Sequence, residues 1–196
     1  KNWSIIAGGL LIASLAINIL LGGEEWDPQV ALLLGIVEFI SNIGLVITII
    51  YSLKLFDLDE APFVKALGYV SIIGVSSAIF TDLSASLHNA GFSGDSFTPV
   101  QVESISEFVQ SGVWIIMPLW VLLTSMKYRG GNLLPSWGSL GGIVASSIIL
   151  LMHLIALLGI LDSPELMWPL WIIAGGIGFP MWAFGMSRAF DSKISQ

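Results

Sequence analysis

The chain has 196 residues, 55% of them hydrophobic and only 11% charged, and its formal net charge at pH 7 is −7. A mean hydropathy of +0.88 leaves too little polar surface for a water-soluble globule, which indicates an integral membrane protein. The acidic balance argues against nucleic acid as a partner, since binding phosphates requires basic patches. The lack of cysteine excludes disulfides, thiolate metal sites and cysteine nucleophiles.

Six apolar runs, bounded by charged and turn residues, predict six transmembrane helices. In chain order the runs cover residues 3–21, 30–53, 66–87, 108–126, 137–161 and 166–187. The first run is too long for the apolar part of a signal peptide, so we expect it to be retained as a span. The predicted fold class is an all-α, polytopic transmembrane bundle, with one domain over residues 1–196.

Basic residues are confined to one side of this predicted bundle. They lie at the chain ends, between the second and third spans, or between the fourth and fifth: Lys1, Lys54, Lys65, Lys127, Arg129, Arg188 and Lys193. The other three connections hold only acidic charges: Glu24, Glu25, Asp27, Asp95, Glu103, Asp162 and Glu165. Because Lys and Arg accumulate in cytoplasmic loops, both termini are predicted to be cytoplasmic.

The three helices that run inward share a start signal in which a capping side chain precedes a proline. These pairs are Asp27-Pro28, Thr98-Pro99 and Ser163-Pro164. The side-chain oxygen can accept a bond from the first turn, and proline suits the first helical position. The fourth helix is therefore predicted to begin near Pro99 and to protrude from the membrane.

Small residues at helical spacing predict which helix faces pack, because helices approach closely in lipid only where side chains are small. In the fifth span this face consists of Gly138, Gly142, Ser146, Ile149 and His153. In the sixth it consists of Trp171, Gly175, Gly178, Trp182 and Gly185. Prolines inside the fourth and sixth spans, Pro118 and Pro180, each remove a backbone hydrogen bond and predict kinks.

Ionisable residues inside the spans mark candidate sites, because a charge in hydrocarbon costs about 2.5–3.5 kcal/mol even on lenient scales. They are Glu38, Asp82 and His153. Counted from the outer helix ends at ~1.5 Å per residue, Glu38 and His153 lie ~12 Å deep and Asp82 ~7.5 Å deep. Asn42 follows Glu38 by one turn on the same face.

These residues predict a ligand-binding pocket, open to the outside, between the second, third and fifth helices and under the start of the fourth. Glu38 and His153 would be its central groups, with Asp82 supporting and Asn42 orienting. Carboxylates and imidazole suit a divalent cation or a proton-coupled step, although no sequence-adjacent metal motif occurs. The alternative is purely structural: Glu38 is neutral or bonded within its helix, Asp82 reaches interfacial water, and His153 bonds to a neighbouring helix.

Other site chemistries lack the residues that they need, and the sequence identifies no cofactor. A haem bound by two histidines would use His88 and His153, whose predicted depths differ by ~12 Å. A retinal Schiff base needs a lysine inside a span, and none is present. No Gly-x-Ser-x-Gly elbow or phosphate-binding glycine loop occurs, so an enzyme is less favoured than a binding protein.

The segment Asn132-Leu133-Leu134-Pro135-Ser136-Trp137-Gly138, continued by Leu140-Gly141-Gly142-Ile143-Val144, carries a family likeness. It resembles a turn that opens the fifth helix in a prokaryotic family of six-span membrane proteins of unknown function. Ser163-Pro164-Glu165 resembles the turn that opens that family's last helix, so the likeness covers roughly the final 80 residues. It implies six spans in a prokaryotic plasma membrane and no activity. Glu38, Asp82 and His153 depart from the very apolar helices of that family.

The sequence thus favours a protein that binds or transports a small solute or cation through an outward-facing polar pocket. Acidic outer loops would concentrate cations at the mouth of that pocket. The alternative is a non-catalytic accessory subunit of a larger membrane complex, docked through the glycine and tryptophan face of the sixth span. The lipid bilayer is the partner in either case, and other membrane subunits are partners in the second.

Overall fold

The computed structural model describes residues 1–21, 27–89, 91, 99–129, 133–158 and 164–194. Side chains at 82, 85, 89, 99–111, 164–166, 193 and 194 lie outside that description. Within it the chain is 90% helix and has no strand, which confirms the predicted all-α class. The elements are α1 (Asn2–Leu21), α2 (Pro28–Leu55), α3 (Pro62–Asn89), α4 (Pro99–Lys127), α5 (Ser136–Leu157), α6 (Pro164–Trp171), a π-helical segment (Ile172–Gly178) and α7 (Phe179–Ile194).

Five of the helical stretches are long and apolar enough to cross a membrane, by length and composition. They are Asn2–Leu21, Pro28–Leu55, Pro62–His88, Ser136–Leu157 and Met167–Ser192. The described apolar part of α4, Gly112–Lys127, is shorter. The helices extend beyond several predicted spans, since α3 begins at Pro62 rather than at 66 and α7 ends at Ile194 rather than at 187, whereas α5 ends at Leu157 rather than at 161.

The three helices α2, α4 and α6 each begin at the predicted proline. At the start of α2, Asp27 Oδ1 accepts hydrogen bonds from the backbone N–H groups of Gln29 at 2.7 Å and Val30 at 3.4 Å. These bonds satisfy two of the N–H groups that have no partner inside the helix. The predicted caps Thr98 and Ser163 lie outside the described residues.

The helices form a ring in chain order. Each of α1 to α4 packs on the next helix, α5 packs on the π segment and α7, and these two close the ring against α1. Glycines allow several of these contacts: a methyl group at Gly44 would lie 2.9 Å from Ala7 Cβ, and one at Gly185 would lie 2.8 Å from Gly138 Cα. Small residues therefore bring the backbones together, as the sequence pattern predicted.

The last rod of the ring consists of α6, the π segment and α7, and its backbone hydrogen bonding changes from α-helical to π-helical in the middle. In the π segment the N–H of Phe179 donates to the carbonyl of Ala174, five residues back, and Pro180, which has no N–H, follows directly. The predicted glycine and tryptophan face is consequently divided. Gly178 lies against Ala145 of α5, whereas Gly175 faces the interior of the ring.

The two chain ends meet at one end of the bundle. Lys1 Nζ forms an ion pair with Asp191 at 2.7 Å, and the rings of Tyr51 and Phe190 are 6.0 Å apart. The start of α1 and the ends of α2 and α7 therefore lie together. Six of the seven basic residues belong to helix ends or loops at this end: Lys1, Lys54, Lys65, Lys127, Arg129 and Arg188.

The loop between α2 and α3 is attached to the end of α4 at the same end of the bundle. Tyr128 stacks on Phe56 with ring centroids 4.3 Å apart, and its hydroxyl donates to the carbonyl of Asp57 at 2.7 Å. Burial raises the pKa of Tyr128, and the charge of Asp57 adds to this effect. In the same loop the hydrogen bond and charge of Lys65 lower the pKa of Asp59.

Candidate binding cavity

A cavity of about 750 Å³ lies inside the ring, and all six helical rods contribute to its wall. Pockets for small organic ligands usually measure about 300–1,000 Å³, so this one is large enough for such a molecule. Its apolar lining residues are Leu11, Leu15, Leu45, Val75, Ala78, Val113, Met117 and Met167, with Gly175 of the π segment. Most polar lining residues lie on α1 and α2, and the aromatic ones lie on α4 and α6.

The polar wall is built by α1 and α2. It contains Ser14 and Asn18, one turn apart on α1, and Glu38, Ser41 and Asn42 on α2. Ser14 Oγ donates to Glu38 Oε1 at 2.9 Å, and Asn18 Nδ2 donates to the carbonyl of Ser14 at 3.0 Å. The first of these bonds holds the Glu38 carboxyl group against α1, and the second lies within α1.

His153 joins the cavity wall from α5, one turn before the end of that helix at Leu157. Its Nδ1 lies 2.9 Å from the carbonyl oxygen of Ile149. A carbonyl only accepts, so we assign a proton to Nδ1, and in a neutral ring Nε2 then carries the lone pair. Because α5 ends early, His153 lies ~6 Å from the described helix end rather than the predicted ~12 Å.

The aromatic wall is built by Trp114 of α4 with Trp168 and Trp171 of α6. The rings of Trp114 and Trp171 are perpendicular, at 90°, with centroids 5.1 Å apart. Phe179, the first residue of α7, packs against Trp114 with ring centroids 6.1 Å apart. In this T-shaped contact the edge of one indole packs against the face of the other, and both rings line the corner between α4 and α6.

The structure brings together three of the four predicted site residues. Glu38, Asn42 and His153 line the same cavity. Asp82 follows Ala78, a lining residue of α3, by one turn, but its side chain lies outside the described part of the chain. The predicted helices were the second, third and fifth under the start of the fourth, whereas the described wall draws on all six rods.

Sequence reasoning missed two groups of lining residues. Ser14 and Asn18 are neutral, so a search for ionisable residues passed over them, although two polar residues one turn apart in an apolar span were a usable signal. The second group is aromatic. Trp171 was assigned to helix packing, and neither Trp114 nor Trp168 stood out among the eight tryptophans.

Among the described residues the lining includes the carboxyl group of Glu38 and no lysine or arginine. Ionisation of Glu38 would make this lining negative. Within the same part of the chain, no group of three or more histidine, aspartate or glutamate side chains could hold a metal ion. The predicted divalent-cation site therefore stays a prediction, since it depends on Asp82.

Comparisons of the chain with protein-family models, with curated proteins and with solved structures found no match. The resemblance of the last two spans to a prokaryotic six-span family stays a prediction. Function is therefore argued from the cavity itself.

Proposed function

We propose that this protein binds or transports a small solute, which enters the cavity from the end of the bundle opposite the basic residues. One observation carries the proposal: a ring of six rods encloses a cavity that contains a carboxylate held in place by a neighbouring helix. Ionisable groups are rare inside membrane bundles because they are costly, and those that occur commonly mark solute or ion sites. The negative lining favours a cation.

Several lining residues lie close to the end of the bundle opposite the basic residues. Asn18, His153 and Met167 lie within four residues of a helix end, on the side away from the Lys1–Asp191 pair. Leu45 and Met117 lie further along their helices. The cavity thus extends from this end into the bundle.

Fully buried residues close the cavity toward the basic end. Ile49 follows Leu45 by one turn, Trp120 follows Met117, and Trp182 packs edge-on against Trp120 at 6.2 Å; all three are 0% exposed. We propose that the basic end faces the cytoplasm of a prokaryotic cell, as the positive-inside rule indicates. The cavity would then lie toward the outer side of the membrane, and transport would require these residues to move.

The packing of the last rod favours this proposal over the accessory subunit. The face expected to dock on a partner is occupied by the protein's own α5: a methyl group at Gly178 would lie 2.6 Å from Ala145 Cβ, and Trp182 is fully buried. A partner would have to use another surface. The accessory role stays an alternative without a specific contact to support it.

Cysteine labelling tests the proposed cavity, because the chain has no cysteine of its own. We expect Asn42→Cys to react with membrane-impermeant thiosulfonates added outside oriented vesicles. Ile73→Cys is the matched control. Ile73 is also in mid-helix, but its side chain is 67% exposed on the surface of the bundle that faces lipid. Lipid keeps a thiol there protonated, so it should not react. No reaction of Asn42→Cys from either side, or reaction from the basic side alone, would contradict the proposal.

A further inference from the structure

We propose that the ligand is an organic ammonium ion whose alkyl groups pack in the corner between Trp114 and Trp171 while Glu38 neutralises its charge. This inference rests on the proposed function and names the class of solute. It is carried by the joint presence of an aromatic corner and a positioned carboxylate in one cavity without basic residues in its described lining.

The aromatic corner suits a cation with an apolar surface. The face of an indole ring carries negative potential, and tryptophan is the best of the aromatic side chains for attracting a cation. The perpendicular rings of Trp114 and Trp171 both line the cavity, so a ligand in the corner between them would contact indole surface. Trp168 lies one helical turn before Trp171 and adds a third indole to the same wall.

The carboxylate supplies the compensating charge. A cation that leaves water for a mostly apolar cavity needs an opposite charge. Glu38 lines the cavity, and the Ser14 hydroxyl donates to its Oε1. His153 lines the same cavity, and in a neutral ring its Nε2 can accept a hydrogen bond from a hydroxyl or N–H group on the ligand.

The remaining lining distinguishes an organic from an inorganic cation. Calcium binds about six to eight oxygen ligands, and magnesium retains a near-octahedral shell. This cavity instead presents leucine, valine, methionine and tryptophan side chains over most of its wall, which cannot replace water around a small ion. An alkylammonium ion has a weakly hydrated, apolar exterior that these side chains fit.

Titration calorimetry of the purified full chain can test this class with choline and tetraethylammonium as probes. We expect both to bind, and dimethylbutanol, the uncharged carbon isostere of choline, to bind at least about tenfold more weakly. Trp171→Phe and Trp114→Phe should each weaken choline binding by about threefold to thirtyfold, as expected for a desolvated cation–π contact. Glu38→Gln should remove the preference for choline over its isostere.

Trp137→Phe is the matched control, because Trp137 lies at the basic end and does not line the cavity. This variant should bind choline like the wild type, and each variant should remain monodisperse with an unchanged melting temperature. Glu38→Gln and Trp171→Phe are both conservative changes, so if one variant unfolds the other still tests the inference.

Two outcomes would overturn the inference and leave the proposed function standing. One is equal binding of choline and its isostere. The other is Zn²⁺ binding that displaces choline and is lost in His153→Gln but not in Trp171→Phe. In both cases Asn42→Cys would still be labelled from outside. If that cysteine is inaccessible and no probe binds, the proposed function fails as well.

Discussion

Glu38 carries the charge on which the proposed binding depends, and Ser14 determines where its carboxylate lies. Their 2.9 Å bond joins α1 to α2, and hydrogen bonds to a charged group are roughly twice as strong as neutral ones. The positions of Glu38, Asn42 and His153 inside the ring could be anticipated, because charged and amide groups stand out in an apolar span. Ser14 was harder to anticipate, since a lone hydroxyl in a membrane helix usually bonds to its own backbone and only its spacing from Asn18 marks it.

Ser14→Ala tests whether this bond positions the carboxylate. We expect choline affinity to fall by about tenfold, which is the value of one hydrogen bond to a charged group. Ser77→Ala is the control, because the Ser77 hydroxyl donates to Ile73 in its own helix and lies away from the cavity. Equal choline affinity in the wild type, Ser14→Ala and Ser77→Ala would show that Ser14 has no positioning role.

At the scale of the helices, the π segment determines which residues face the ligand. Straight α-helical spacing placed Trp171, Gly175, Gly178 and Trp182 on one face. The extra residue in the turn before Phe179 instead directs Trp171 and Gly175 to the cavity and Gly178 to α5. Pro180 predicted a disturbance in this region, but a missing N–H does not specify whether the helix bends or widens.

The close contact between the last rod and α5 makes Gly178→Ala destabilising. The added methyl would lie 2.6 Å from Ala145 Cβ and 3.0 Å from the carbonyl of Gly141, so the backbones must separate, at a cost of roughly 1–3 kcal/mol. Gly9→Ala is the control, since a methyl at Gly9 meets nothing within 4 Å and should stabilise α1 by about 1 kcal/mol. Thermal melts in detergent that shift equally for both variants would contradict the described contact.

Tyr128 should couple the loop after α2 to the end of α4. Tyr128→Phe removes the bond to Asp57 but keeps the stack on Phe56, so it should cost about 1 kcal/mol. Tyr128→Ala removes both contacts and should cost about 1 kcal/mol more. Denaturation that ranks Tyr128→Ala as the milder change would be inconsistent with the stack.

The same tyrosine gives a pH dependence with a defined sign. Burial raises the pKa of folded Tyr128 above its usual value of about 10. Its contribution to stability is therefore complete below about pH 10 and is lost as the pH rises through the higher folded-state pKa. Tyr128→Phe should lack this alkaline loss in melting temperature, and an identical alkaline profile in both proteins would exclude it.

For the whole molecule, the sequence predicted the helices far better than their arrangement. Apolar length and proline starts depend on local residues, so the all-α class and the helix starts followed directly. The ring depends on which faces meet. Its closure places Leu15 of α1 against Gly176 of the π segment, a contact between residues far apart in the chain that no local pattern specifies.

The cavity is a consequence of that arrangement rather than of any one motif. The indoles of α4 and α6 look unremarkable in their own helices, whereas Glu38 and Asn42 stand out in α2 without indicating what they face. Only the ring places Glu38 and the corner of Trp114 and Trp171 in a common space. The proposed function requires a cation to enter this space from the end opposite the basic residues.

Ligand protection of Asn42→Cys tests that claim most directly, in vesicles of known orientation and in wild-type or Glu38→Gln background. We predict that tetraethylammonium added outside slows modification of Asn42→Cys by an impermeant reagent at least about tenfold, and that Glu38→Gln removes most of this protection. Modification at the same rate with and without tetraethylammonium, or protection that does not depend on Glu38, would contradict the account.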